Sequence, residues 1–149
     1  MPASGYAFGM VCRHPLTVRF GECDPAGIVY MPRILHYFHV ASEELFAAVT
    51  GKPYAEVMAS ERLGFPSVHV EADFRQTLPL GARLEVEARL VRVGESSCTF
   101  RFAIRGEGEE EARATGGIVT VCIDLESRAK RALPAWLRER LTAAIEPVG

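Results

Sequence analysis

No C-x-x-C pair and no glycine-rich phosphate loop occurs in this 149-residue sequence. No apolar run approaches the roughly 18 residues of a membrane helix either. Cys12, Cys23, Cys98 and Cys122 are spaced without pairing, which argues against a disulfide framework and for reduced thiols in a cytoplasmic protein. Met1 to Gly9 lacks the positive charge and apolar core of a secretory signal, and reads as a weakly docked lead-in. Surplus charge is small: 17 Lys and Arg stand against 19 Asp and Glu, a net −2. Nucleic acid and membrane are therefore not expected partners, although a local basic patch still suits a phosphate-bearing small molecule. The remaining composition, 48% apolar and 24% charged, is that of one ordinary globular domain.

The chain opens with a strand expected around His14–Glu22, closed by the Cys23-Asp24-Pro25-Ala26-Gly27 turn. The strongest helical pattern follows, from Pro32 to Thr50. Ile34, Leu35, Phe38, Ala41, Leu45, Phe46 and Val49 fall on one stripe, with Pro32 suited to the first turn and Gly51 to the stop. A short helix is predicted at Tyr54–Glu61. From Gly64 the period changes to two. Val68, Val70, Ala72 and Phe74 alternate with polar residues, as do Leu84 to Leu90 and Cys98 to Ile104, and a last run spans about Ala112 to Asp124. Such alternation predicts strands with one buried face. The phase slips at Leu90–Val91, the mark of a bulge. Pro134 opens a final helix with Trp136, Leu137, Leu141 and Ile145. Strand, long helix, four strands and short helix is an α+β order, with an antiparallel sheet wrapping the long helix.

Asp24 is the residue with chemical promise. In a turn its carboxylate ordinarily accepts backbone N–H groups, so a purely structural role is the first reading. It also precedes a helix whose N-terminus carries unsatisfied N–H donors and partial positive charge. Such donors stabilise an oxyanion, and no side chain is needed for that. Gly-x-Ser-x-Gly is absent, which argues against a serine-hydrolase route to acyl transfer.

The run Val18 to Pro32, which reads VRFGECDPAGIVYMP, continues into His36-Tyr37-Phe38-His39-Val40-Ala41-Ser42-Glu43 and is joined later by Gly64-Phe65-Pro66-Ser67-Val68. Together these segments resemble the 4-hydroxybenzoyl-CoA thioesterase family of hotdog-fold proteins. The resemblance implies a hotdog fold: a five-stranded antiparallel sheet wrapped around one long central helix, with a short C-terminal helix. It implies a single domain over residues 14–146 after a flexible lead-in at 1–13, and an acyl-CoA thioesterase with Asp24 as the catalytic carboxylate. The Met31 backbone N–H would polarise the thioester carbonyl. It also implies a homo-oligomer, a dimer or a tetramer of two dimers, with the site between subunits. Coenzyme A belongs to the substrate, and neither a cofactor nor a metal is expected.

Gly27, Tyr30 and His69 are the candidate substrate-pocket residues. Gly27 allows close approach to the backbone, Tyr30 offers an aromatic wall, and His69 would touch the acyl part or position water. Arg128 and Lys130, in the basic run after the last strand, are candidates for the coenzyme A phosphates. The Gly94-Glu95-Ser96-Ser97 turn carries no positive charge, so Ser97 enters there only as a hydrogen-bond donor. Asp24 would attack the carbonyl or activate water. Two other readings stand beside this one. One is an enoyl-CoA hydratase or dehydratase using His69. The other is a non-catalytic module binding acyl-CoA or an acyl carrier protein, in which Asp24 only caps the turn.

Overall fold

The computed structural model describes residues 9–145. In chain order the elements are β1 (Val11–Thr17), a 3-10 turn at Phe20–Glu22, α1 (Met31–Thr50), α2 (Tyr54–Glu61), β2 (Leu63–Gly64), β3 (Ser67–Phe74), β4 (Arg83–Val93), β5 (Ser97–Gly106), β6 (Ala114–Val121), β7 (Ile123–Asp124) and α3 (Ala135–Ala143). The five long strands form one antiparallel sheet in the order β1-β4-β5-β6-β3, and β2 pairs with β7 in a separate ribbon. This is the α+β arrangement expected.

The long helix begins and ends where local chemistry dictates. Tyr30 is extended, Pro32 occupies the first turn, and Gly51 takes the left-handed conformation at φ 73° while its N–H reaches the Ala47 carbonyl. Ile34, Phe38, Ala41 and Leu45 face inward and are buried. Each large side chain among them contributes about 1.5–3 kcal/mol by leaving water. Phe38 stacks on Phe102, with ring centroids 4.9 Å apart. The slip expected at Leu90–Val91 is a register shift of β4 against β5 between Leu90 and Arg92. On the outer face Glu87 is buried beneath Arg13, Arg89 and Arg105, with its carboxylate 2.9 Å from Arg105.

Four expectations need correction. The strand placed at His14–Glu22 runs from Val11 to Thr17; beyond it Glu22 Oε1 accepts the Arg19 N–H at 2.8 Å and the backbone curls into the 3-10 turn. The lead-in placed at 1–13 is shorter, because Val11 to Arg13 pair with Glu87 to Arg89; its residues 1–8 lie outside the described residues, as does 146. The run Ala112 to Asp124 is broken at Cys122, where the chain leaves the main sheet to pair with β2. Lastly, β3 does not bury one face in the protomer: Val68, Val70 and Phe74 are 60%, 43% and 50% exposed. The central helix packs on β1 and β4 and reaches β6 through Phe38 over Gly116, and among the described residues this leaves the apolar side chains of the edge strand largely uncovered.

Candidate active site

Asp24 sits in a loop tied down at every turn. Its N–H donates to the Ile28 carbonyl at 2.9 Å, and the Gly27 N–H donates to the Asp24 carbonyl at 2.9 Å. The Tyr30 N–H reaches Glu22 at 3.0 Å, and the Val29 N–H reaches Leu78 at 2.9 Å. Gly27 holds φ at +76°, and a Cβ there would meet nothing within 4 Å, so glycine is required by the backbone and the space beside it stays open. The Asp24 side chain also serves the turn, as Oδ1 accepts the Ala26 N–H at 2.8 Å. Among the described residues no donor is recorded for Oδ2. One oxygen therefore anchors the turn.

The half-buried carboxylate opens onto a groove of about 560 Å³, whose walls include Glu22, Cys23, Tyr30, Pro32, Arg33 and His36. Met31 lies between two of these wall residues and opens the helix. Its N–H has no intrahelical acceptor, and none is found for it among the described residues. The groove thus combines an anchored carboxylate with a guanidinium, next to the first residue of the helix. Beneath the groove Tyr37 is buried with its hydroxyl unpartnered in hydrogen-bond geometry. Burial and the neighbouring Glu22 carboxylate raise its pKa well above the ordinary phenol range.

Asp24 and Tyr30 line the same groove, Gly27 lies in the same loop, and Met31 follows Tyr30 at the start of α1. The structure does not bring His69 to this groove. His69 is exposed on β3, opposite Val119. Ser97 opens β5, and its turn is bound to the basic segment: Ser96 accepts the Cys122 N–H at 2.7 Å, and Glu95 accepts the Leu133 N–H at 2.9 Å. Arg128, left-handed at φ 61°, and Lys130 are exposed on that segment. Asp124 organises it, accepting from the Glu126 and Ser127 N–H groups at 2.9 Å each. These backbone donors, with the Ser127 hydroxyl and Arg131, hold the Asp124 carboxyl below its ordinary pKa. Asp124 pairs with Leu63, which follows α2, so the basic segment lies beyond the C-terminal end of α1. Asp24 lies at the N-terminal end, and a helix of 20 residues is about 30 Å long.

Arg33 and His36 are wall residues that sequence reasoning did not assign to the site. The signal was present: Tyr30, Arg33 and His36 follow one another at spacings of three, which continues one helical face from the cap. His39, three residues on from His36, contacts Glu43 at 3.4 Å. Among the described residues no group of three metal-ligating side chains converges.

Residues 18–141 match the thioesterase-like superfamily. The chain is 32% identical over 133 residues to a 1,4-dihydroxy-2-naphthoyl-CoA hydrolase of Prochlorococcus marinus, which covers 83% of this chain and 84% of the relative. A 1,4-dihydroxy-2-naphthoyl-CoA hydrolase of Synechococcus elongatus is 29% identical over 125 residues, 84% of this chain and 90% of its own. The crystal structure of a 1,4-dihydroxy-2-naphthoyl-CoA thioesterase from Synechocystis superposes with a TM-score of 0.78 at 22% identity, over 89% of this chain and 96% of that one, which speaks for a common fold.

Proposed function

The chain belongs to the thioesterase-like superfamily and is a thioester hydrolase of the hotdog fold, and from that premise we propose that it cleaves an aromatic acyl-CoA carrying ring hydroxyls. The observation that carries the catalytic assignment is the place of Asp24, one carboxylate oxygen bound to the Ala26 N–H and the residue lining the groove at the start of the long helix. The Met31 N–H polarises the carbonyl and takes the oxyanion. Asp24 either attacks the carbonyl carbon, giving an anhydride that water opens, or draws a proton from the attacking water. The C–S bond breaks as the anhydride forms in the first route and as the water adduct collapses in the second, and either way coenzyme A leaves as a thiolate that needs no strong acid. The reaction as proposed uses no cofactor beyond the coenzyme A of the substrate, and no metal.

The working unit we propose is a homodimer formed through β3, itself free to assemble as a tetramer of two dimers. The two sheet edges differ. β1 carries Pro15 and Arg13, which discourage pairing, whereas β3 has no proline and exposes Val68, Val70 and Phe74. Antiparallel pairing of two β3 strands covers this apolar face. It also carries the Arg128 and Lys130 segment of one protomer toward the Asp24 end of the other, where Ser97, Arg128 and Lys130 can take the coenzyme A phosphates. Gly27 and Tyr30 would line the thioester's approach, and His69, on the pairing strand, would join the pocket from across the interface. Among the described residues no helix is long and apolar enough to cross a membrane. The unpaired, buried Cys98 and Cys122 support a reducing, cytoplasmic setting.

The test is a thiol-release screen across 1,4-dihydroxy-2-naphthoyl-, hydroxybenzoyl-, benzoyl-, short-chain and long-chain acyl-CoAs. The hydroxylated aromatic thioesters should show the highest kcat/KM. Preference for an aliphatic chain overturns the substrate class, and tight binding without thiol release overturns the catalytic assignment.

A further inference from the structure

A second, smaller cavity lies beneath the C-terminal half of α1, away from the Asp24 groove of the same protomer. The rings of Phe46, Tyr54, Phe65 and Phe100 line it, with His39 and Thr120. Thr120 is 8% exposed, and its Oγ1 is fully buried with no hydrogen-bond partner among the described residues. A buried hydroxyl without a partner is an uncompensated desolvation, and here it is set among aromatic rings. The cavity holds about 20 Å³, room for one small polar group and not for a ring. His39, whose side chain is 45% exposed, leaves one side open to solvent. The lining thiol of Cys98 is pushed up to about 12 by burial, so it stays neutral and the cavity suits an uncharged substituent over an anionic one.

Topology says which thioester can reach it. The start of α1 is tied to Leu78 and Pro79, just beyond the end of β3, while Phe46 near its other end touches Phe65, just before β3 begins, at 5.8 Å between ring centroids. The helix therefore runs antiparallel to β3. Within one protomer Met31 and Ser42, the residue beside the cavity, are about 16 Å apart along the helix axis. Two β3 strands paired antiparallel about a twofold exchange their ends. The partner's Asp24 is then brought to the side on which Thr120 pairs with Ser67, at the start of β3.

We propose that Thr120 is a specificity-determining residue, its Oγ1 hydrogen-bonding a ring hydroxyl of an acyl group whose thioester lies at the partner's Asp24. The ring rests at the cavity mouth against His39 and Ser42, and the substituent enters. The assignment rests on the aromatic acyl-CoA reading and extends it to a named contact.

Steady-state hydrolysis of hydroxylated and unsubstituted naphthoyl-CoA by the wild type, Thr120→Val and Thr120→Ser tests it, with melting temperatures to confirm folding. The wild type should favour the hydroxylated substrate. Thr120→Val should lower its kcat/KM by about tenfold while leaving the unsubstituted substrate within about twofold, and Thr120→Ser should keep the preference. Thr120→Ala serves for the same comparison if valine is not accommodated. An unchanged preference in both hydroxyl-free variants, or equal use of the two substrates by the wild type, overturns the proposal and leaves Thr120 as a water ligand. Absence of thiol release by the wild type from either substrate overturns the aromatic reading itself, a result read without any variant.

Discussion

Phe38 lies on Phe102 with ring planes 13° from parallel, and this stack sets the height of the central helix above the sheet. Gly116 makes the approach possible. A Cβ there would run into the Phe38 ring and would stand 2.8 Å from the Glu71 carbonyl oxygen. The ring can shift a little, but the neighbouring backbone cannot. Gly116→Ala is expected to lower stability by about 1–3 kcal/mol, the usual cost of overpacking, read from the midpoint of urea unfolding. An unchanged midpoint would mean that the helix rides higher than described.

Asp24→Asn separates the two duties of that side chain. The amide oxygen can still accept the Ala26 N–H, so the turn should persist and the melting temperature should stay close to wild type. The amide cannot act as nucleophile or base. Turnover should fall by about 10²–10⁴, measured as thiol release at saturating substrate. Near-normal turnover would reduce Asp24 to a turn former.

Val70→Asp places a charge on the inner face of the exposed edge strand. Because Val70 is 43% exposed in the protomer, an isolated chain should tolerate the change. A dimer built on β3 should not, since two such charges would meet or lose water near the twofold. Light scattering after gel filtration should show a monomer, with activity lost. A variant that stays dimeric and active would move the interface elsewhere.

Asp124→Ala tests both acid sensitivity and the proposed coenzyme A contacts. Backbone N–H groups hold the folded pKa of Asp124 below the ordinary 3.8, so its stabilising contribution is complete above 3.8 and is lost as pH falls through the lower folded value. The wild type should therefore lose more thermal stability than Asp124→Ala on going from neutral pH to below 3.8. The same substitution loosens the turn that carries Arg128 and Lys130. KM for acyl-CoA should rise roughly three- to tenfold with kcat little changed. A fall in kcat at constant KM would place this turn outside the coenzyme A contacts.

Local chemistry was legible wherever neighbours in the chain decide conformation. Pro32 and Gly51 bracketed α1 to within a residue, Pro53 placed α2 at Tyr54–Glu61, and the phase slip at Leu90 marked the bulge. The Asp-Pro-Ala-Gly turn disclosed the carboxylate and the helix end beside it, because both belong to one short segment. The 3-10 turn at Phe20–Glu22 escaped notice, since the Glu22 and Cys23 N–H groups close it locally on the Arg19 and Phe20 carbonyls and no periodicity announces it.

What the amino-acid order determined by itself was the three α-helices, the five long strands with their alternating pattern, and the loop that holds Asp24. Only the tertiary structure decided that Val68, Val70 and Phe74 would lie uncovered on an edge, that Arg33 and His36 would wall the groove, and that Thr120 would be buried without a partner. The reason is the range of the interactions. Turns and helix ends are set by steric and hydrogen-bonding preferences within a few residues. The strand order β1-β4-β5-β6-β3 joins segments as much as 78 positions apart, from Val11 to Arg89, and only that pairing determines which faces meet and which remain bare.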